Sequence, residues 1–287
     1  MVFTVNSFTE ESLKQIQGFT FPSSIASLVL LLKAFSKLVC KIKLHQVSNE
    51  RPEYTSEGDK YIFYKYRGVN IRKPHVASGW VSYISPKLYG RYYRIEIITV
   101  RHHIFNDDEA ANCSVKLKFE DGTSRELMGF RVGFADTKAD VCGIYCLVDD
   151  ELLVKKLLGF QRLIETQWNI LKDEVCNVDD THGVSYLIAY PLGKKKTISI
   201  GEYHVVEGTM SLVYNTPNYR GCSGGAVINF VKGLMVRPHS GSYDLDQIGY
   251  SSDWNMVSQK IECCLISILS VSEFVNYPLF LTFMCYF

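Results

Sequence analysis

The sequence predicts a mainly β protein, a double six-stranded β-barrel with an N-terminal helical extension, and three observations predict it. Short runs rich in Val, Ile, Tyr and Phe recur from residue 61 onward, each bounded by turn residues. They fall into two sets of six. One stretch of helical periodicity, with nothing comparable inside either set, lies between them.

Residues 1–55 differ in kind from the rest and are assigned to the extension. Residues 24–44 carry Lys33, Lys37 and Lys41 four apart, with Leu, Val and Phe elsewhere, which reads as an amphipathic basic helix. Such a helix either docks on a membrane surface or partner or packs on the following domain. Residues 49–60, with Pro52, Gly58 and several charges, read as a linker. The main domain is placed at 56–262. Its first barrel, about 60–150, takes strands at 61–66, 80–84, 94–100, 114–119, 127–134 and 143–148, with Asp121-Gly122 as a hairpin turn. The connecting segment, 151–180, has Leu153, Leu157, Phe160, Ile164, Trp168 and Leu171 at helical spacing over 151–174. The second barrel, about 181–255, takes strands at 184–189, 197–206, 210–214, 226–229, 234–236 and 247–250. Residues 263–287 form a hydrophobic C-terminal segment whose only charge is Glu273. It is long enough for a tail anchor, yet Glu273, Asn276 and Pro278 interrupt it, so a packed segment is the alternative.

At 287 residues and 47% hydrophobic, the chain can bury a full core. A formal net charge of +1 gives no reason to expect nucleic acid or an acidic membrane as partner. The nine cysteines, Cys40, Cys113, Cys142, Cys146, Cys176, Cys222, Cys263, Cys264 and Cys285, are odd in number and lack a secretory spacing. They read as free thiols in a reducing, intracellular and cytoplasmic setting. Cys142 and Cys146 alternate with apolar residues and would face one side of a sheet; no partner at ligand spacing supports a metal there. The first residues carry Glu10 and Glu11 and show no signal-peptide pattern.

The chemistry-bearing motif is Gly221-Cys222-Ser223-Gly224-Gly225-Ala226. Gly221 lets the N–H groups of Gly221 and Ser223 turn into one concavity, where an oxyanion would sit. Gly224 and Gly225 let the chain pass closely beneath the serine with φ values that a Cβ forbids. Upstream, a β-branched run, Ile97 to Val100, leads to Arg101-His102-His103, placing a general base at a strand end. Between them Asp140 stands immediately before an apolar strand. The order His, Asp, Ser is one of three known for such triads.

With these residues in place, the chain resembles trypsin-like serine peptidases of the chymotrypsin fold, in the HtrA-like, bacterial-type branch. Four stretches carry the resemblance. Ala77-Ser78-Gly79-Trp80 resembles Gly-Ser-Gly-Phe, and Thr99-Val100-Arg101-His102 resembles Thr-x-x-His, which selects His102 over His103. Residues 115–123 and 136–147 resemble the next hairpin and the Asp-bearing strand, selecting Asp140 over Asp136. Ala189-Tyr190-Pro191-Leu192-Gly193 with Ile198-Ser199-Ile200-Gly201 resembles the opening of the second barrel. No PDZ-like segment follows.

The resemblance implies a serine endopeptidase acting on protein or peptide substrates without a cofactor. Ser223 would be the nucleophile, His102 the base and Asp140 its orienting acid, with the oxyanion held by the N–H groups of Gly221 and Ser223. Cys222 stands where secreted trypsins bind a newly cut N-terminus, so no zymogen cleavage is expected. Pro217 occupies the position of the aspartate that selects basic residues. His239, Ser240 and Gly241 fall on the strand lining the P1 pocket, with His239 suggesting a polar or acidic P1, although Arg237 and Pro238 depart from the usual pattern. Three alternatives stay open: Cys222 as nucleophile, a catalytically silent peptide-binding scaffold, and an esterase on the same fold. The oligomeric state is not encoded.

Overall fold

At Leu38 the second helix passes into a strand with no loop between them: α1 spans Glu10–Lys14, α2 spans Ile25–Leu38 and β2 spans Val39–Gln46. The helical period of the lysines extends to Lys41, but from Val39 a period of two takes over. Cys40, Ile42 and Leu44 are buried while Lys41 and Lys43 are half-exposed, and that alternation specifies a strand with one buried face. The sequence-based helix over 24–44 is therefore too long, and residues 39–46, inside the expected extension, belong to the first barrel. The basic face is not a solvated stripe either. Lys37 is buried on α2, and Lys41 lies on β2, where its Nζ donates to Gly193 O at 3.0 Å. Helix α2 instead packs Leu28, Leu31, Leu32 and Phe35 inward, alongside α4 (Glu151–Val175).

The computed structural model describes residues 1–16, 21–54, 58, 60–87, 90–119, 121–175, 182–206, 211–230, 233–243 and 248–251, all within one unit spanning Met1–Trp254. The calls on Cys176, Cys263, Cys264, Cys285 and the 263–287 segment lie outside these residues. Among the described residues no helix is long and apolar enough to cross a membrane.

The first barrel is closed and antiparallel, in the order β2-β3-β4-β7-β6-β5, with β3 at Asn70–Ile84, β4 at Tyr93–Thr99, a short helix α3 at Asp107–Ala111, β5 at Cys113–Lys118, β6 at Ser124–Asp136 and β7 at Val141–Val148. The expected strand at 61–66 is absent; Tyr64–Tyr66 forms a 3-10 turn, and β2 fills its place. Cys40, Cys113, Cys142 and Cys146 are free thiols packed inside the barrel with Ile42, Ile97, Val115 and Ile144. Burial pushes Cys40 and Cys113 up to about 12, so they act as small apolar groups.

The second half is not a closed six-stranded barrel, which corrects the expected symmetry. Strands β8 (His182–Ala189), β9 (Thr197–Val205), β10 (Leu212–Tyr214), β11 (Ala226–Asn229), β12 (Met235–Pro238), β13 (Gly241–Tyr243) and β14 (Ile248–Ser251) form a curled sheet ordered β12-β11-β8-β9-β10-β14-β13. An N-terminal strand, β1 (Val2–Thr4), adds to β9. The curl turns at two residues. His239 donates its N–H to Gly225 O, on the β11 side, and the next N–H, that of Ser240, goes to Tyr250 O on β14. β12 and β13 are thus consecutive in sequence but lie at opposite ends of the sheet.

Helix α4 matches its sequence reading almost residue for residue. Its C-terminal end also serves α2: the Glu174 carboxylate accepts from Ser23 N at 2.6 Å and from Ser24 Oγ at 2.7 Å. These supply a carboxylate to the first turn of α2, where free N–H groups favour negative charge. The bonds hold Glu174 below its usual range.

The assignment of β2 to the barrel has a measurable consequence. Ile42 is fully buried, so Ile42→Ala is expected to cost about 2–5 kcal/mol, as buried Ile-to-Ala changes do. Urea unfolding of the variant beside wild type measures it, and an effect below 0.5 kcal/mol, the ordinary size for surface changes, would return residues 39–46 to an unpacked extension.

Candidate active site

Two consecutive turns present Ser223. Cys222 N–H donates to Tyr219 O at 3.0 Å and Gly225 N–H donates to Cys222 O at 2.7 Å. In each turn the third residue has positive φ, Gly221 at +91° and Gly224 at +75°, which is the glycine position of such turns. Ser223 is second in the later turn and half-buried. Gly225 differs from its sequence reading, because its φ is not positive. Its constraint is space: a Cβ there would lie 2.7 Å from Ala189 Cβ and 2.8 Å from Cys222 O.

The turns are bolted to the first barrel through Ser78 on β3. Ser78 N–H donates to Ser223 O at 2.8 Å, and its hydroxyl donates to Gly221 O at 2.9 Å while accepting from Tyr190 N–H at 2.9 Å. Its carbonyl accepts from Thr99 Oγ1 at 2.8 Å. Thr99 ends β4, three residues before His102.

His102 lies in a turn just past the strand end. Asp140 grips it twice: Oδ1 accepts from the His102 N–H at 2.8 Å, and Oδ2 lies 2.7 Å from Nδ1. Asp140 sits at φ +47°, a backbone region that non-glycine residues rarely occupy. A turn holds it there, in which Asp136 Oδ1 accepts from Ala139 N–H and Thr137 O from Asp140 N–H. Asp136 and Asp140 therefore divide the work, one shaping the turn and the other meeting the histidine. Among the described residues no hydrogen bond joins Ser223 Oγ to His102. What brings their segments together is close packing of the Gly224 backbone on the end of β4: a Cβ on Gly224 would fall 2.4 Å from the side-chain oxygen Oγ1 of Thr99.

Of the expected P1 residues, His239 is stitched directly to the serine turn. Gly224 N–H donates to His239 O and His239 N–H to Gly225 O, both at 2.8 Å. Its ring is buried, with Nδ1 hydrogen-bonded to Tyr214 OH. Burial, and secondarily the His102 charge, lower its pKa to about 3. Ser240 is buried, and Gly241 opens β13 with Tyr250 OH lying where a Cβ would go, 2.6 Å away. Pro217 stands apart, half-buried between Thr216, which bonds Ser185, and Asn218, which bonds back to Thr216.

The rival residues are accounted for by burial. His103 is buried, edge-on to Phe63 at 5.7 Å, and burial holds it well below the usual histidine range; it is a neutral core residue. Cys222 faces the cluster of Leu187, Tyr203, Leu212, Tyr214 and Val227. Burial raises its thiol to about 11, which leaves almost no thiolate near neutrality. Among the described residues no group of three His, Cys, Asp or Glu could hold a metal. Sequence reasoning missed Tyr214, whose bond to His239 spans 25 positions with no local signal. It also missed Arg51, which falls in the expected linker, and Glu109, to which it gives no role.

No family profile matches the sequence, and no curated protein matches it. Among solved structures the chain is similar to the Rv3671c protease from M. tuberculosis in its active form, at 13% identity over 85% of this chain and 88% of that one, TM-score 0.46. It is also similar to the serine endoprotease from Yersinia pestis, at 16% identity over 86% of this chain and 68% of that one, TM-score 0.46.

Two outcomes are expected. Gly224→Ala places a Cβ 2.2 Å from Ser78 O and forces a left-handed alanine, itself costing about 1–3 kcal/mol; a lowered thermal midpoint measures it. The depressed pKa of His239 means that the unfolded chain binds its proton first as pH falls. The stability tied to its neutral form is complete above about 6.5 and is lost progressively between there and about 3. Urea titrations across that range should show a shallower pH dependence for His239→Gln than for wild type.

Proposed function

We propose that this protein is a serine endopeptidase of the trypsin-like class, hydrolysing peptide bonds in protein or peptide substrates. The observation that carries the reading is the double contact of Asp140 with the backbone and ring of His102, beside a serine presented on two glycine turns. In this reading Ser223 Oγ attacks the scissile carbonyl and His102 Nε2 takes its proton, later passing it to the leaving amine. Asp140, accepting from Nδ1–H, holds the tautomer that leaves Nε2 free to act as base. The N–H groups of Gly221 and Ser223 receive the developing oxyanion, each worth about 3 kcal/mol in sites of this type. Water then repeats the attack on the acyl-enzyme and releases Ser223. No cofactor enters these steps.

His239 supports a polar or acidic P1 residue. It is neutral over the working pH range, so it does not select by charge. The Tyr214 hydroxyl has two acceptors in reach, His239 Nδ1 and, at a longer 3.4 Å, Tyr250 O; donating to the nearer Nδ1, it leaves the hydrogen on Nε2, a donor suited to a side-chain carbonyl or carboxylate. The free, buried thiols of Cys40, Cys113, Cys142, Cys146 and Cys222 fit a reducing setting inside the cell.

One observation favours a second reading, a silent peptide-binding scaffold: Ser223 Oγ makes no hydrogen bond to His102 among the described residues. Active-site geometry often tightens only with substrate bound. Fluorophosphonate labelling decides between the two. Wild-type protein is expected to label at one serine, and both Ser223→Ala and His102→Ala to lose it; a folded wild type that stays unlabelled supports the scaffold. Cleavage of a peptide library should then show Gln, Glu or another polar residue at P1, with His239→Ala relaxing the preference about tenfold or more, the worth of one buried hydrogen bond to substrate.

A further inference from the structure

The most fully enclosed charges in the described structure lie behind His102. The side chains of Arg51 and Glu109 are both 0% exposed and form an ion pair. Two buried charges of this kind rarely stabilise a fold better than apolar residues of the same volume, so where their hydrogen bonds go is informative. Arg51 Nε donates to Glu109 Oε1 at 2.8 Å and Nη2 donates to Oε2. The remaining donors reach the loop of the candidate base: Nη1 donates to His102 O at 2.8 Å and Nη2 to His103 O at 3.2 Å. Glu109 in turn accepts from Phe105 N–H at 2.8 Å and Ser48 N–H at 3.0 Å. The rings of Tyr61, Phe63 and Phe105 surround the guanidinium at 5.5–5.7 Å.

The backbone of His102 is consequently held from both sides by charged side chains, its N–H by Asp140 and its C=O by Arg51. A fork with fixed donor geometry can take a carboxylate on one edge and two successive carbonyls on the other, which an ammonium cannot. We infer that Arg51, anchored by Glu109, is a positioning residue for His102. It fixes the peptide that follows the histidine, so that the imidazole meets Asp140 on one side and the Ser223 turn on the other. The inference rests on the proposed serine-hydrolase reading for its effect on rate, and on geometry alone for its effect on the His102–Asp140 bond. A displacement near 1 Å of a reacting group is enough for a loss of about 100-fold.

The test uses Arg51→Gln, Arg51→Lys and the paired Arg51→Gln/Glu109→Gln, which removes both charges and so avoids a lone buried carboxylate. Two readouts are taken on folded protein. The first is saturable fluorophosphonate labelling, split into the limiting rate and the concentration for half-saturation. The second is the low-field proton resonance of the His102–Asp140 hydrogen bond. Expected is a fall of tenfold or more in limiting rate with half-saturation within twofold, loss or broadening of the resonance, and partial recovery of both with lysine. Folded Arg51→Gln or paired variant with wild-type rate and an unchanged resonance would overturn the inference. If wild-type protein does not label, the hydrolase reading fails by itself. The resonance then decides alone, its persistence unchanged in a folded variant overturning the positioning role and its loss supporting it.

Discussion

Ser78 is the point on which the architecture turns. It is fully buried on a strand of the closed barrel, yet four of its hydrogen bonds leave that strand, two donated to the serine turn, one accepted from Tyr190 N–H at the opening of the second sheet and one accepted from Thr99. Buried polar groups must be paired, and here the pairing is spread over segments of both the closed barrel and the second sheet. A change at this side chain strands the Gly221 carbonyl and the Tyr190 N–H at once, the latter a buried donor left unsatisfied. The barrel and the second sheet are thus joined by satisfied polar groups at one residue, and the candidate nucleophile sits beside that joint.

Around the joint, rigidity is supplied by elements that need not react. The closed barrel has no edges and a core of aliphatic residues and inert thiols. It carries two loops at one end, that of His102 and that of Asp140. Asp140 tolerates a left-handed backbone because Asp136, Thr137 and Arg101 fix the turn on either side. A strained residue held by its surroundings is more often found where a side chain must be aimed than where a loop merely reverses. The second sheet contributes the glycine turns and the neutral His239, whose charge state is set by burial and not by a neighbouring acid.

Much of this was legible in the sequence, and the failures have identifiable physics. The glycine turns, the connecting helix and most strands follow from local patterns of period, turn chemistry and spacing, whereas the choice of His102 and Asp140 over their neighbours rests on the family resemblance. Residues 39–46 were misread because Lys33, Lys37 and Lys41 make a helical stripe that overlaps a period-two strand, and tertiary pairing chose the strand. The run at 61–66 is aromatic enough for a strand but wraps the Arg51 guanidinium instead. The second barrel was drawn closed because strand count does not encode closure, and β13, only three residues long, left no signal. Arg51 within the expected linker and Glu109 carry no local signal of their pairing, since their burial depends on loops that meet only in the fold.

The open second sheet has a further consequence. Within the described residues the pairing path ends at β12 and at β13, and β13 begins at Gly241, beside His239 and the serine turn. An unpaired strand edge recognises a chain by its main-chain hydrogen bonds, and only an extended segment offers them. On the proposed function, a folded partner would be cut only where it locally opens, so its susceptibility would track the opening free energy of the target segment. Selectivity among proteins would then come as much from the substrate's own stability map as from the side chain at the scissile bond.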